Sequence, residues 1–385
     1  MIKKLFSNIK FDRNELSGSF GDIGTSFPLI IGLIAACKLD ACSVLVMFGL
    51  MQIFTGIVYG IPMSVQPLKA MAVIMISQKL GGDILYGAGF AIGITMFLLT
   101  VSGLLTWFTK IIPENVIRGI QFGLGLSLAN LALKDYLPSD GVPGYILAFC
   151  AFAIALFLLG NRKFPPALVV MTVSIVYALF FKIDFFHIHQ GIGVDLPLFH
   201  APTQSNIATG FLLLTLPQLA LSISNSVVAT QQTTRDLFPN SNLSIKKIGI
   251  TYSIMNFINP FFSGIPTCHG SGGIAGHYTF GARTGGSVVI YGLLCVTLGL
   301  FFSNVFTEVV QFFPLPVLGV ILLFESLTLM SFIRSVTHST HQFLIAILVA
   351  LIAIGLPNGY VIGLVFGTII MYLINKKLIM RNIEA

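Results

Sequence analysis

Two stretches of this sequence open on Gly-Ile-Pro and then offer groups that bind an anion. The first, GIPMSVQPLKA at 60–70, places a full positive charge at Lys69. The second, GIPTCHGSGG at 264–273, supplies His269, the hydroxyl of Ser271, and Gly270, Gly272 and Gly273, past which backbone approaches a ligand without side-chain obstruction. In both, proline and glycine interrupt any helix, and a new helix is predicted to start just beyond. Free N–H groups at such a start, with the helix dipole behind them, form an anion site. Two facing helix starts and one lysine therefore favour a small oxyanion.

The rest of the chain says where such a site must lie. Of its 385 residues 55% are hydrophobic and 9% charged, with mean hydropathy +0.92. A soluble domain carries about 25% charged residues, so the composition predicts an all-α, multi-spanning membrane protein. Five scattered cysteines, Cys37, Cys42, Cys150, Cys268 and Cys295, fit neither a disulfide framework nor a zinc site. The LIAAC at 33–37 resembles a lipoprotein cleavage site, but Asp22 and Pro28 interrupt the apolar run before it and many spans follow, so it reads as a first membrane helix.

Apolar segments fall near 16–36, 42–60, 61–78, 84–107, 115–133, 143–159, 165–182, 207–230, 246–262, 264–280, 286–304, 313–331, 341–356 and 357–375. Against the about 20 residues that a span needs, this predicts about fourteen crossings. With the N-terminus inside, all Lys and Arg except Lys38, Lys69, Lys79, Lys134 and Lys182 fall on the cytoplasmic side. That positive-inside bias places both termini in the cytoplasm and accounts for most of the net charge of +7 without nucleic acid. The expected organisation is a cytoplasmic segment over 1–14, a first inverted repeat over 15–183, an extracytoplasmic loop over 184–206, a second repeat over 207–375 and a cytoplasmic tail over 376–385. The repeat is faint: IPENVIRGIQFGLGL at 112–126 and FPLPVLGVILLFESL at 313–327 open crossings 5 and 12, which would run in opposite directions.

Crossings 3 and 10 hold the two Gly-Ile-Pro stretches. Pro67 suits a first helical position, and from it to Gln78 runs about 18 Å of helix, roughly half a bilayer. Irregular backbone at that depth is tolerated only where it is buried in protein or lines a cavity, and paired interruptions point to a transporter binding site. Crossing 8 adds Gln218, Ser222 and Asn225 on one helix face, and crossing 1 adds Asp22 and Thr25 three residues apart. Asp22, Glu325 and His269 are the candidate proton carriers. No nucleophile–base pair or paired carboxylates suggest an enzyme. The His187 and His189 pair in the outer loop lacks further metal ligands, and no cofactor is called for.

SGSFGDIGTSFPL, SVQPLKA, TLPQLALSISNSVVA and GIPTCHGSGGIAGHYTFGARTG resemble the four signature stretches of the molybdate transporters, relatives of the sulfate permeases. The resemblance implies the seven-plus-seven inverted-repeat fold of uracil permease, in which a core domain (crossings 1–4 and 8–11) moves against a gate domain (5–7 and 12–14). It implies substrate contacts at Thr25, Gln66, Lys69, Gln218, Asn225, His269, Gly270, Ser271 and Gly272. The C-terminal regulatory domain usual in sulfate permeases is not expected, since the sequence stops at Ala385. Ser64 and Ala220 stand where the family usually has proline, and Thr267 and Ser271 where it has methionine and alanine. The extra hydroxyl of Ser271 leaves molybdate, tungstate and sulfate all open. The expected function is cation-coupled import of a tetrahedral oxyanion across a bacterial inner membrane, with a nucleobase carrier on the same fold as the alternative. Partners are the oxyanion and membrane lipid, and a homodimer is allowed.

Overall fold

The computed structural model describes residues 9–105, 107, 112–158, 169–170, 172–174, 176, 193–241, 243–312 and 314–375. Its order begins with α1 (Arg13–Ser19), α2 (Ile23–Cys37), α3 (Ala41–Tyr59), β1 (Val65–Pro67), α4 (Lys69–Gln78) and α5 (Gly82–Val101). Next come α6 (Glu114–Leu131) and α7 (Gly141–Phe157). The second half holds α8 (Gln204–Leu237), α9 (Ile245–Ile258), β2 (Thr267–His269), α10 (Ser271–Thr279), α11 (Gly286–Phe312), α12 (Leu315–Ser331), α13 (Thr340–Gly355) and α14 (Gly359–Asn375). Six helices are long and apolar enough to cross a membrane, and five shorter apolar helices accompany them among the described residues. Crossing 7 (165–182), the His187 and His189 pair and the tail over 376–385 lie wholly or largely outside the described residues.

Crossing 1 differs from the single span expected. It breaks at 20–22 between α1 and α2, because Gly18 and Gly21 press against Ala282 and the Gly276 backbone, where a Cβ would fall 2.4 and 2.5 Å from its neighbours.

Crossings 3 and 10 are each an extended piece followed by a short helix. The extended pieces pair antiparallel as β1 and β2, with Gln66 opposite Cys268, and each helix starts three residues beyond that central pair, at Lys69 and Ser271. A two-stranded ribbon leaves outward backbone groups unpaired, which is costly in an apolar interior. Side-chain amides take them up. Gln52 on α3 donates to the Val65 carbonyl at 2.8 Å and accepts from its N–H at 3.0 Å. Asn256 on α9 does the same for Thr267, at 2.7 and 3.0 Å. Thr55 and Asn259 donate in turn to the carbonyls of Met63 and Ile265. The Leu68 N–H meets the Pro266 carbonyl, and the Gly270 N–H meets that of Ser64. One sequence offset relates Met63 to Ile265, Ser64 to Pro266, Val65 to Thr267 and Leu68 to Gly270, so the two antiparallel breaks make equivalent bonds.

Packing separates the helices into two bundles. In one, called the core bundle, α3 lies along α11, and α5 packs on α8 and α9. In the other, the gate bundle, α6 packs on α12 and α13, with α7 and α14 alongside. Small residues set the α3–α11 distance, as close helix approach in lipid requires: a Cβ at Gly292 would lie 2.5 Å from the Gly49 carbonyl oxygen. Gly292→Leu is therefore expected to remove the folded, monodisperse species from a detergent size-exclusion profile.

Candidate functional site

A cavity of about 500 Å³ lies between the bundles at the two helix starts. The core bundle lines it with Gln66, Lys69, Gln218, Asn225, His269, Gly270, Ser271 and Gly272 among others, and the gate bundle with Arg118, Gln121, Thr328, Leu329 and Phe332. The lining holds two cations and no carboxylate among the described residues. All the sequence-predicted contacts except Thr25 line it; the side chains of Thr25 and of the coupling candidate Glu325 lie outside the described residues.

The two helix starts differ. At α4 the N–H groups of Ala70 and Met71 donate to Gln218 Oε1, at 2.8 and 3.3 Å, while Gln218 Nε2 donates to Ser222. Gln218 is thus a cap for α4, not an uncommitted amide. At α10 no side chain caps the start, and the first three N–H groups, of Ser271, Gly272 and Gly273, have no acceptor among the described residues. The open anion cradle is therefore α10. Gln218→Leu leaves two buried donors unpaired and is expected to lower stability by about 1–3 kcal/mol, read as a lower midpoint of thermal unfolding.

The glycines of the second stretch also divide. A Cβ at Gly272 would meet nothing within 4 Å, so this position faces the open cavity. At Gly270 it would lie 2.2 Å from Gln66 Cδ, and at Gly273 2.2 Å from Ser64 Oγ and 2.7 Å from Asp22 Oδ2. Those two are glycine because side chains from crossings 1 and 3 pack onto them.

Asp22 ties this floor together. Its carboxylate accepts from Ser26 Oγ at 3.0 Å, from Gln66 Nε2 at 2.6 Å and from Ser64 Oγ. His269 contributes to the lining, yet its Nε2 is bound to Thr251 Oγ1 at 2.7 Å and its ring stands edge-on to Tyr59. In α8 the π-helical turn Ser222–Ala229 carries Asn225, whose amide has no hydrogen bond among the described residues; such turns widen a helix and recur at functional sites.

Arg118 and Gln121 are among the lining residues that sequence reading missed. Arg118 counts there as a loop charge, although Glu114, Arg118 and Gln121 share one face of a proline-started helix. A second cavity, also about 500 Å³, lies at the other end of α4 against Ser77 and Gln78, bordered by Ser127, Asn130 and the turn between α13 and α14.

Two helical bundles meeting over a cation-lined cavity, with the helices at its floor broken in mid-span, define a polytopic membrane transporter. The fold is shared with the transmembrane domain of a cyanobacterium bicarbonate transporter, BicA, at a TM-score of 0.69 and 18% identity over 94% of this chain and 98% of that one. It is shared equally with the murine Slc26a9 anion transporter in the inward-facing state, at 0.70 and 15% over 97% of this chain and 71% of that one. In sequence, residues 14–128 and 210–329 match the family described as molybdate transporter of MFS superfamily. The chain is 31% identical to Molybdate transporter 1 of Arabidopsis thaliana over 96% of its own length and 90% of that protein, and 30% identical to Molybdate transporter 2 of the same plant over 94% and 87%. It belongs to the molybdate transporter family, whose members are transporters and not enzymes. The superfamily label in that description contrasts with the fold, which is that of the bicarbonate and Slc26 carriers.

Proposed function

We propose that this protein is a secondary transporter that carries a tetrahedral oxyanion, molybdate foremost, by alternating access between the two bundles. The observation that carries the reading is the cavity lining: two cations, three uncommitted N–H groups at the start of α10 and, among the described residues, no carboxylate. Cations and free N–H donors with no carboxylate among the described lining residues suit an anion better than the N–H groups of a nucleobase ring. The cavities at opposite ends of α4, both between the same bundles, support alternating access to a site beside that helix.

With both termini cytoplasmic, import moves a dianion against an inside-negative potential, at a cost of roughly 4.6 kcal/mol per 100 mV. At least two co-transported cations are needed to cancel it, and protons are the proposed choice. Of the three candidates, Asp22 is held under the site by Ser26, Ser64 and Gln66, and His269 lines it.

Binding competition on the purified protein among molybdate, tungstate, sulfate and uracil tests the substrate. Molybdate is expected to bind and tungstate to displace it; binding of uracil with no oxyanion bound would overturn the reading. In proteoliposomes, uptake indifferent to both a pH gradient and a sodium gradient would overturn the coupling.

A further inference from the structure

Gln121 on α6 is fully buried, and its Oε1 accepts a hydrogen bond from Arg118 Nη1 at 3.1 Å. That bond fixes which end of the amide is which and leaves Nε2 as the free end. Nε2 is buried with no hydrogen-bond partner, and Gln121 is one of the residues lining the cavity shared with Lys69 and the start of α10. Buried polar groups are nearly always paired, so an orphan donor on a residue that lines a cavity calls for a partner that is not part of the chain. Arg118 is placed beside it with equal definition. Its Nε donates to Ser335 Oγ at 2.9 Å and to Glu114 Oε1 at 3.2 Å, its Nη2 donates to Glu114 at 2.9 Å, and its guanidinium stands over the Phe332 ring. Of the five N–H donors of a guanidinium, this leaves one on each terminal nitrogen for a ligand. Glu114 offsets part of the charge, so Arg118 acts as an oriented double donor more than as a bare cation.

We infer that Gln121 and Arg118 form a gate-side anion subsite, which binds the oxygen atoms of the cargo that are turned away from Lys69 and the α10 start. A tetrahedral oxyanion presents oxygens in all directions, and donors on one bundle alone leave part of it dehydrated and unpaired. Donors from both bundles would pair every face and make the cargo itself the bridge between core and gate. The inference rests on the oxyanion reading above.

The test is isothermal titration of purified full-length protein with molybdate, using wild type, Gln121→Met and Gln121→Glu. Gln121→Met removes the donor with little change of volume. Gln121→Glu keeps the acceptor for Arg118 and replaces the donor with an anionic oxygen. Gln121→Met is expected to weaken molybdate by about tenfold and Gln121→Glu by more, with thermal unfolding midpoints near wild type. Affinities within twofold of wild type in both variants would overturn the subsite and leave the oxyanion reading standing. Absence of oxyanion binding by wild type would bring down both. Should neither variant fold, Arg118→Gln replaces them: about tenfold weaker binding supports the subsite, and unchanged binding overturns it.

Discussion

Lys69→Ala is expected to weaken molybdate binding by about thirtyfold or more while the protein still elutes as a folded species. Lys69 stands at the first position of α4 and lines the cavity, as does Arg118. A unit charge about 4 Å from an anion contributes about 4 kcal/mol at an effective dielectric of about 20. Halving that for dehydration of the ammonium still leaves about 2 kcal/mol, so the expected loss spans about thirtyfold to a thousandfold. The break itself should survive. Gln218 caps α4, the Leu68 N–H is held by the Pro266 carbonyl, and Gln52 clamps Val65, and these bonds lie outside the ammonium. Titration calorimetry beside a thermal unfolding scan separates the outcomes. Affinity within twofold of wild type would remove Lys69 from the site.

The two breaks were legible in the sequence because their signal is local. Gly-Ile-Pro, followed within a few residues by Pro67 or by the glycines from Gly270 onward, ends one conformation and starts another whatever lies around it. The residues that hold the breaks were not legible. Gln52 and Asn256 sit in ordinary apolar spans, and only the folded chain brings their amides against Val65 and Thr267. Gln218 reads as a cavity amide on its helix face, and it is one. What sequence spacing does not reveal is that its carbonyl is already committed to the α4 backbone. Arg118 and Gln121 were missed for a related reason. A charge near a helix end reads as topology, and the pairing that commits Gln121 Oε1 and leaves its Nε2 as the free end depends on an Arg118 guanidinium held by Glu114 and Ser335, the latter from the second half of the chain.

The glycines give the sharpest test of local against tertiary meaning, because Gly272 and Gly273 are neighbours of one type with opposite surroundings. Gly272→Val puts its branches into open space, since even the first added carbon meets nothing within 4 Å. It stands in the first turn of α10, where the backbone conformation is helical and valine costs only a few tenths of a kcal/mol over other residues. The variant should fold with an unfolding midpoint near wild type and still lose molybdate binding, because the new side chain occupies the volume above the three free N–H groups. Gly273→Val meets Ser64 Oγ at 2.2 Å and Asp22 Oδ2 at 2.7 Å before its branches are placed. It should disrupt the Asp22 bonds to Ser64 and Gln66 and cost about 3 kcal/mol or more in overpacking, seen as aggregation or a midpoint lowered well below that of Gly272→Val. If instead Gly272→Val binds molybdate normally, the anion does not sit on the α10 N-terminus. The cradle would then have to be sought among Lys69, Asn225 and the gate-side donors, which share the cavity but not that helix.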